Sequence, residues 1–110
     1  MKRLALLMPL LISACVTPPA SPMERHARMA AAAELAATRC GGTIGGYGAA
    51  KELKNDANKN LVTAKNLGAT SDDLAKAKTD TTTAFETQAI WTSHQEACNN
   101  IVSQLAWASN

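Results

Sequence analysis

This 110-residue chain contains three cysteines and two histidines, whose side chains are suited to metal binding or thiol chemistry: Cys15, Cys40, Cys98, His26 and His94. His94 and Cys98 are four residues apart, so a helix would place them on one face. With Cys40 close by, two thiolates and an imidazole would resemble a zinc-ligand set. A Cys40–Cys98 disulfide competes with that set in an oxidising compartment, and we expect the disulfide, with no metal and no other cofactor.

The chain lacks the usual catalytic signatures. It contains no His-Glu-x-x-His, no Gly-x-Ser-x-Gly and no Cys-x-x-Cys, which are the common motifs of zinc hydrolases, serine hydrolases and thiol oxidoreductases. Its carboxylates occur singly, apart from Asp72 and Asp73 at a predicted helix start, where acidic side chains stabilise the helix dipole. The sequence therefore predicts a protein that is not an enzyme and has no catalytic residue.

The first 15 residues have the pattern of an export signal. A basic start (Lys2, Arg3) precedes nine mostly apolar residues, 4–12, and then small residues before Cys15; this order is typical of a signal peptide. Nine residues make about 14 Å of helix, roughly half the hydrocarbon thickness of a bilayer. The segment can therefore direct export but is too short to span a membrane.

Residues 12–15, Ile-Ser-Ala-Cys, resemble the lipobox of bacterial lipoproteins. The resemblance implies cleavage after residue 14, a lipid on Cys15 and added acyl chains such as palmitate, which anchor a protein durably to a membrane. Because Val16 rather than an aspartate follows the cysteine, it also implies the outer membrane, facing the periplasm. Residues 15–20 then form a lipidated cysteine and a short Pro-containing spacer.

Removal of residues 1–14 leaves a formally neutral chain, because it then contains nine basic residues (11 − 2) and nine acidic ones. Such a balance does not favour a nucleic-acid partner. Charge is nevertheless segregated: six lysines lie between Lys51 and Lys78, and no basic residue follows. We expect a basic helix to pack on an acidic one; a basic face that binds a partner is the alternative.

Residues 21–110 are predicted to form one helical domain. Ser21, Pro22 and Glu24 mark a capped helix start, and that helix runs to about Cys40. A glycine-rich stretch, 41–48, predicts a flexible loop, with a packing or binding turn as the alternative. Apolar residues at helical spacing over 49–67 predict a second helix. Thr70 with two acids starts a third, which the four β-branched threonines within residues 79–83 would weaken or bend.

The last part of the chain leaves the helix count open. Ser93 and Glu96 fit a capping box, so the third helix either continues past Thr92 or breaks there, giving a fourth helix to about Trp107.

A disulfide between Cys40 and Cys98 would close a loop of 98 − 40 + 1 = 59 residues. Such a loop closure stabilises the folded chain by about 4 kcal/mol on the chain-entropy model. The predicted fold is an all-α, small disulfide-stapled bundle of three or four helices.

The four aromatic residues of the chain suggest a thin core. Trp91 and Trp107, with Ile90, could instead form an exposed recognition patch, because tryptophan is favoured at interface centres. We expect burial, since the core has few other aromatic side chains, yet Trp91 and Trp107 remain the best candidates for contact with a partner.

Together these patterns predict a small lipid-anchored lipoprotein of the cell envelope with a noncatalytic structural or protein-interaction role in the periplasm. The partners expected are the membrane, through the N-terminal lipid, and an envelope protein. Two alternatives stay open. Residues 23–40 are similar to a helix in the exclusion lipoproteins of conjugative plasmids, which implies a protein that blocks plasmid uptake or superinfection. The third possibility is an inhibitor of a periplasmic enzyme.

Overall fold

The computed structural model describes the backbone of residues 21–108 and the side chains of residues 21–106. Four long helices and one short one account for nearly all of this segment, which contains no strand: α1 Pro22–Arg39, α2 Gly41–Ile44, α3 Tyr47–Asn66, α4 Ser71–Trp91 and α5 His94–Ala108. The predicted all-α bundle is confirmed, with four long helices rather than three. The expectations for residues 1–20, including Cys15, and for the side chain of Trp107 lie outside the described residues.

Local sequence signals start three of the helices. The Ser21 hydroxyl accepts a hydrogen bond from the Glu24 N–H at 3.2 Å, and Thr70 forms a complete capping box with Asp73 at the start of α4. Ser93 accepts a hydrogen bond from the Glu96 N–H at 3.0 Å, so the break near Thr92 is present. The predicted weakening at residues 79–83 does not interrupt α4, which is continuous through them.

The glycine-rich stretch is a defined structure rather than the flexible loop predicted. Residues 41–44 form the single turn of α2, and the Gly46 N–H then donates to the Gly41 carbonyl at 2.8 Å. Gly45 and Gly46 have φ angles of +100° and +97°, a region that only glycine adopts readily. These two residues close α2 and turn the chain into α3.

Helix α1 is the centre of the bundle. It packs against α3, α4 and α5, while α4 and α5 also pack against each other. Within the described residues, no Cα atoms of α3 and α4 come within 8 Å. The same holds for α3 and α5, so the lysine-rich α3 does not pack on the helices that carry the acidic residues after Lys78, and the expected basic-on-acidic packing is wrong for α3. The small side chains of α1 bring these helices to α1 instead.

The core has two parts. The larger surrounds Cys40 and Cys98 and is made by α1, α4 and α5, with Cys40 just after α1: Leu35, Ala36, Cys40, Phe85, Ala97, Cys98 and Ile101. The smaller is built from alanines of α1, α3 and α4: Ala27, Ala64 and Ala77. Small side chains let the helices approach closely but bury little area each. The staple at Cys40 and Cys98 accordingly lies in the better packed part.

The aromatic core expected from composition is only partly present. Phe85 is 4% exposed, whereas Tyr47 is 86% and Trp91 82% exposed. The expected burial of Trp91 is wrong because of helix geometry. Six residues at 100° each place Trp91 about 120° around α4 from Phe85, away from the face that meets α1 and α5.

Candidate functional site

The disulfide fixes one end of the bundle, which we call the disulfide end. Cys40, just after α1, is bonded to Cys98 near the start of α5, with their Cα atoms 5.5 Å apart. Both cysteines are buried, at 2% and 0% exposure. The predicted pair is therefore formed, and it joins the C-terminal end of α1 to α5 at the point where α4 ends and α5 begins.

His94 completes a polar cluster beside the disulfide. Its Nε2 lies 3.0 Å from the Arg39 carbonyl oxygen and 3.5 Å from Cys98 Sγ. The imidazole also meets Phe85 edge to face, with ring centres 5.7 Å apart. An Nε2–H that donates to Arg39 satisfies one of the free carbonyls at the end of α1, where the helix dipole favours a donor.

Arg39 holds α4 to the same end. Its guanidinium lies 3.4 Å from the Glu86 carboxylate, and both side chains are about half exposed. The pair therefore contributes little to the free energy of unfolding, but it shows that α4 passes the C-terminal end of α1. With both cysteines in the disulfide, the described residues contain no group of three or more His, Cys, Asp or Glu side chains able to hold a metal.

Two large apolar side chains stand exposed where α4 ends. Ile90 and Trp91 are each 82% exposed, and we call this pair the apolar tip. Tyr47 starts α3 at the same end of the bundle and is 86% exposed. Tyr47 lies in the stretch 41–48 that was predicted as a loop, and it is not part of the thin aromatic core that the composition suggested.

The second histidine has a structural position. His26 Nδ1 lies 2.8 Å from Asn60 Oδ1, which links α1 to α3. The amide nitrogen of Asn60 donates to the Asp56 carbonyl at 3.0 Å. This bond turns the amide oxygen toward His26, so the imidazole donates a hydrogen bond from Nδ1. That nitrogen therefore has no free lone pair with which to act as a base.

Two of the grooves along α1 also reach α5. One, of about 620 Å³, lies between α1, α3 and α5 and includes Met29, Leu53 and Val102. The other, of about 350 Å³, lies between α1, α4 and α5 and includes Arg28, Asp80 and Gln104. No cysteine or histidine lines either groove, and neither groove includes Ile90 or Trp91. Phe85, which meets His94 edge to face, lines the smaller groove.

None of the helices within residues 21–108 is both long enough and apolar enough to cross a bilayer. No protein-family model, curated protein or solved structure matches the chain significantly. The residues and geometry of the chain itself are therefore what support a proposal for its function.

Proposed function

We propose that this chain is a small lipid-anchored protein of the bacterial cell envelope that binds a partner protein and is not an enzyme. The apolar tip, Ile90 and Trp91, is the contact surface. One observation carries the proposal: two adjacent large apolar side chains are each 82% exposed at the end of an ordered helix.

The exposure of the apolar tip has a thermodynamic consequence. Burying an isoleucine or a comparable side chain stabilises a fold by about 1.5–3 kcal/mol, and this bundle forgoes that gain at two neighbouring positions. Single exposed apolar residues are ordinary, but exposed tryptophan beside isoleucine has the composition of an interface centre. A partner that covers both side chains would recover the missing burial.

The position of the tip in the bundle suits a partner away from the anchoring membrane. The spacer of residues 15–20 joins the bundle at the start of α1, and the 18 residues of α1 extend about 27 Å. The apolar tip lies beside the opposite end of α1, since Arg39 there contacts Glu86 of α4. An anchor at Cys15 would thus hold one end of the bundle at the lipid and present the other to the periplasm.

The disulfide end also gives the tip a fixed direction. Cys40 and Cys98 tie α1 to α5, and the Thr92 hydroxyl donates to the Gln88 carbonyl at 2.7 Å, which closes α4 just after Trp91. A helix end that is already ordered loses little backbone conformational entropy on binding. This arrangement favours an interaction protein over a flexible tether.

The interaction is tested in the envelope of cells that express the protein. A photoreactive amino acid at position 90 should crosslink to one discrete partner, and Trp91→Ala should abolish that crosslink. Val62→Ala is the matched control, because Val62 is 56% exposed on α3 and lies outside the tip. A crosslink that survives Trp91→Ala, or that Val62→Ala weakens equally, would overturn the assignment of the contact surface.

The anchor is tested separately by Cys15→Ser, which removes the atom to which the lipid would be attached. We expect the variant to leave the membrane fraction while the helical content of residues 21–108 is unchanged. A variant that stays with the membranes after a carbonate wash contradicts the proposed lipid anchor. The proposed contact surface would then depend on the crosslinking result alone.

A further inference from the structure

His94 and Cys98 are spaced as two ligands of one tetrahedral metal ion. Zinc binds histidine nitrogen at about 2.0–2.1 Å and cysteine sulfur at about 2.3 Å, which puts the two donor atoms roughly 3.5 Å apart in a tetrahedron. Nε2 of His94 and Sγ of Cys98 are 3.5 Å apart. The helix α5 therefore already holds these two atoms at the separation that zinc requires.

The Arg39 carbonyl oxygen lies near the position of another vertex of that tetrahedron. It lies 3.0 Å from His94 Nε2 and 3.8 Å from Cys98 Sγ. An oxygen ligand at about 2.1 Å from zinc would be roughly 3.4 Å from the nitrogen and 3.6 Å from the sulfur. The carbonyl, or a water bound to it, can thus take the fourth position.

Cys40 supplies the remaining ligand once its bond to Cys98 is broken. Two thiolates on one zinc lie about 3.8 Å apart, so the sulfurs must separate. With the Cα atoms 5.5 Å apart, a change of χ1 at Cys40 alone would separate the sulfurs and leave the spacing between Cys98 and His94 as it is. Both sulfurs lie in the core, whereas His94 is exposed, so an ion can reach the cluster from the imidazole side.

We propose that the reduced form of this protein binds one zinc ion through Cys40, Cys98 and His94. A dithiol reductant supplies two electrons and two protons, becomes a disulfide itself and leaves two protein thiols. Zinc then displaces both thiol protons, and His94 binds through Nε2 with its proton on Nδ1. Two thiolates and an imidazole are a ligand set that suits zinc over magnesium or calcium.

In the reduced protein, the zinc ion would replace the disulfide as the link between α1 and α5. It would tie α1 to α5 at the same two residues as the disulfide, so that loss of the covalent bond need not release the disulfide end. This property is independent of the lipid anchor and of the apolar tip, since neither Cys15 nor Trp91 takes part.

The test uses the full chain with Cys15→Ser, so that only Cys40 and Cys98 supply thiols, reduced without oxygen and titrated with cobalt(II) as a spectroscopic substitute for zinc. We expect one cobalt per chain, with the visible bands of a tetrahedral site and a thiolate-to-metal charge-transfer band, and displacement by zinc. Zinc should also restore part of the thermal midpoint that reduction lowers.

His94→Ala is the decisive variant, because it keeps both thiols and removes an exposed ring. It should weaken cobalt binding at least about tenfold, whereas His26→Ala, which removes the other histidine, should not. Far-UV circular dichroism shows whether each variant is folded. The proposal fails if the reduced chain gives no tetrahedral spectrum, if His94→Ala binds cobalt as tightly as the parent, or if the oxidised chain gives the same spectrum.

Discussion

Phe85 and Trp91 lie six residues apart on α4 and have opposite surroundings, at 4% and 82% exposure. Phe85→Ala removes a buried ring from the core around the disulfide, so we expect it to lower the free energy of unfolding by about 3–5 kcal/mol. Trp91→Ala should change that free energy by less than about 0.5 kcal/mol. Urea denaturation followed by circular dichroism measures both.

The difference between the two variants also tests the contact surface. If Trp91→Ala abolishes the crosslink to a partner at an unchanged free energy of unfolding, Trp91 acts in binding. A loss of several kcal/mol on Trp91→Ala would mean that the side chain is packed in the core, and the apolar tip would no longer be a free surface.

The capping box of α4 predicts a pH dependence at the scale of one helix. The Thr70 N–H donates to the Asp73 carboxylate at 2.9 Å, and the Thr70 hydroxyl donates to it at 3.0 Å. These two bonds, the backbone one foremost, lower the pKa of Asp73 below its ordinary value. A lowered pKa stabilises the folded chain above the ordinary pKa, and this stabilisation is lost as the pH falls through the lowered value.

Asp73→Ala should accordingly lower the thermal midpoint at neutral pH, and the gap to the parent should narrow in acid. Asp72→Ala is the matched control, because it removes an adjacent acid from the same helix turn but leaves the Thr70 bonds in place. A gap that is the same at neutral pH and in acid, or equal for the two variants, would contradict a stabilising role for the cap.

The alanine-rich interface of α1 and α3 predicts a strict size limit. Ala64 is 0% exposed and belongs to the small core that includes Ala27 of α1, so Ala64→Leu must push the helices apart. We expect a loss of about 1–3 kcal/mol in the free energy of unfolding, measured by urea denaturation. Val62→Leu, two residues away on the exposed face, should change it by less than about 0.5 kcal/mol. Equal effects would mean that α3 is not held closely against α1.

Helix starts and breaks could be predicted from the sequence because capping is local. The Ser21, Thr70 and Ser93 side chains each accept a hydrogen bond from a backbone N–H three residues later, and nothing distant decides that contact. The apolar face of α5 was predictable for the same reason, since Ala97, Cys98 and Ile101 follow helical spacing and are buried.

Which helix packs on which could not be predicted in this way. The charge pattern suggested that a basic helix packs on an acidic one, yet α3, which carries four of the six lysines, packs on α1 rather than on α4 or α5, because close alanine contacts rather than exposed charges decide the arrangement. Likewise, the exposure of Trp91 depends on which part of α4 is not covered by α5. The end of α2 depends on the left-handed backbone angles of Gly45 and Gly46. The candidate contact surface was therefore named from the sequence only as the weaker of two alternatives.

At the scale of the whole molecule, the disulfide closes a loop with a sequence separation of 58. Breaking it should lower the free energy of unfolding by about 4 kcal/mol on the chain-entropy model. Cys40→Ser and Cys98→Ser remove the same bond, so each should have nearly the full effect and the double variant little more. Thermal unfolding without added metal measures all three. Effects that add up would mean that the two cysteines stabilise the chain separately.

The central claim, a lipid-anchored envelope protein with one internal staple, is tested most directly by the intact mass of the protein isolated from native membranes. Before reduction the account predicts the mass of residues 15–110 plus acyl chains, with no thiol open to alkylation. After reduction it predicts two alkylated thiols, at Cys40 and Cys98. An unacylated mass, or a chain that retains residues 1–14, would contradict the anchor on which the proposed function depends.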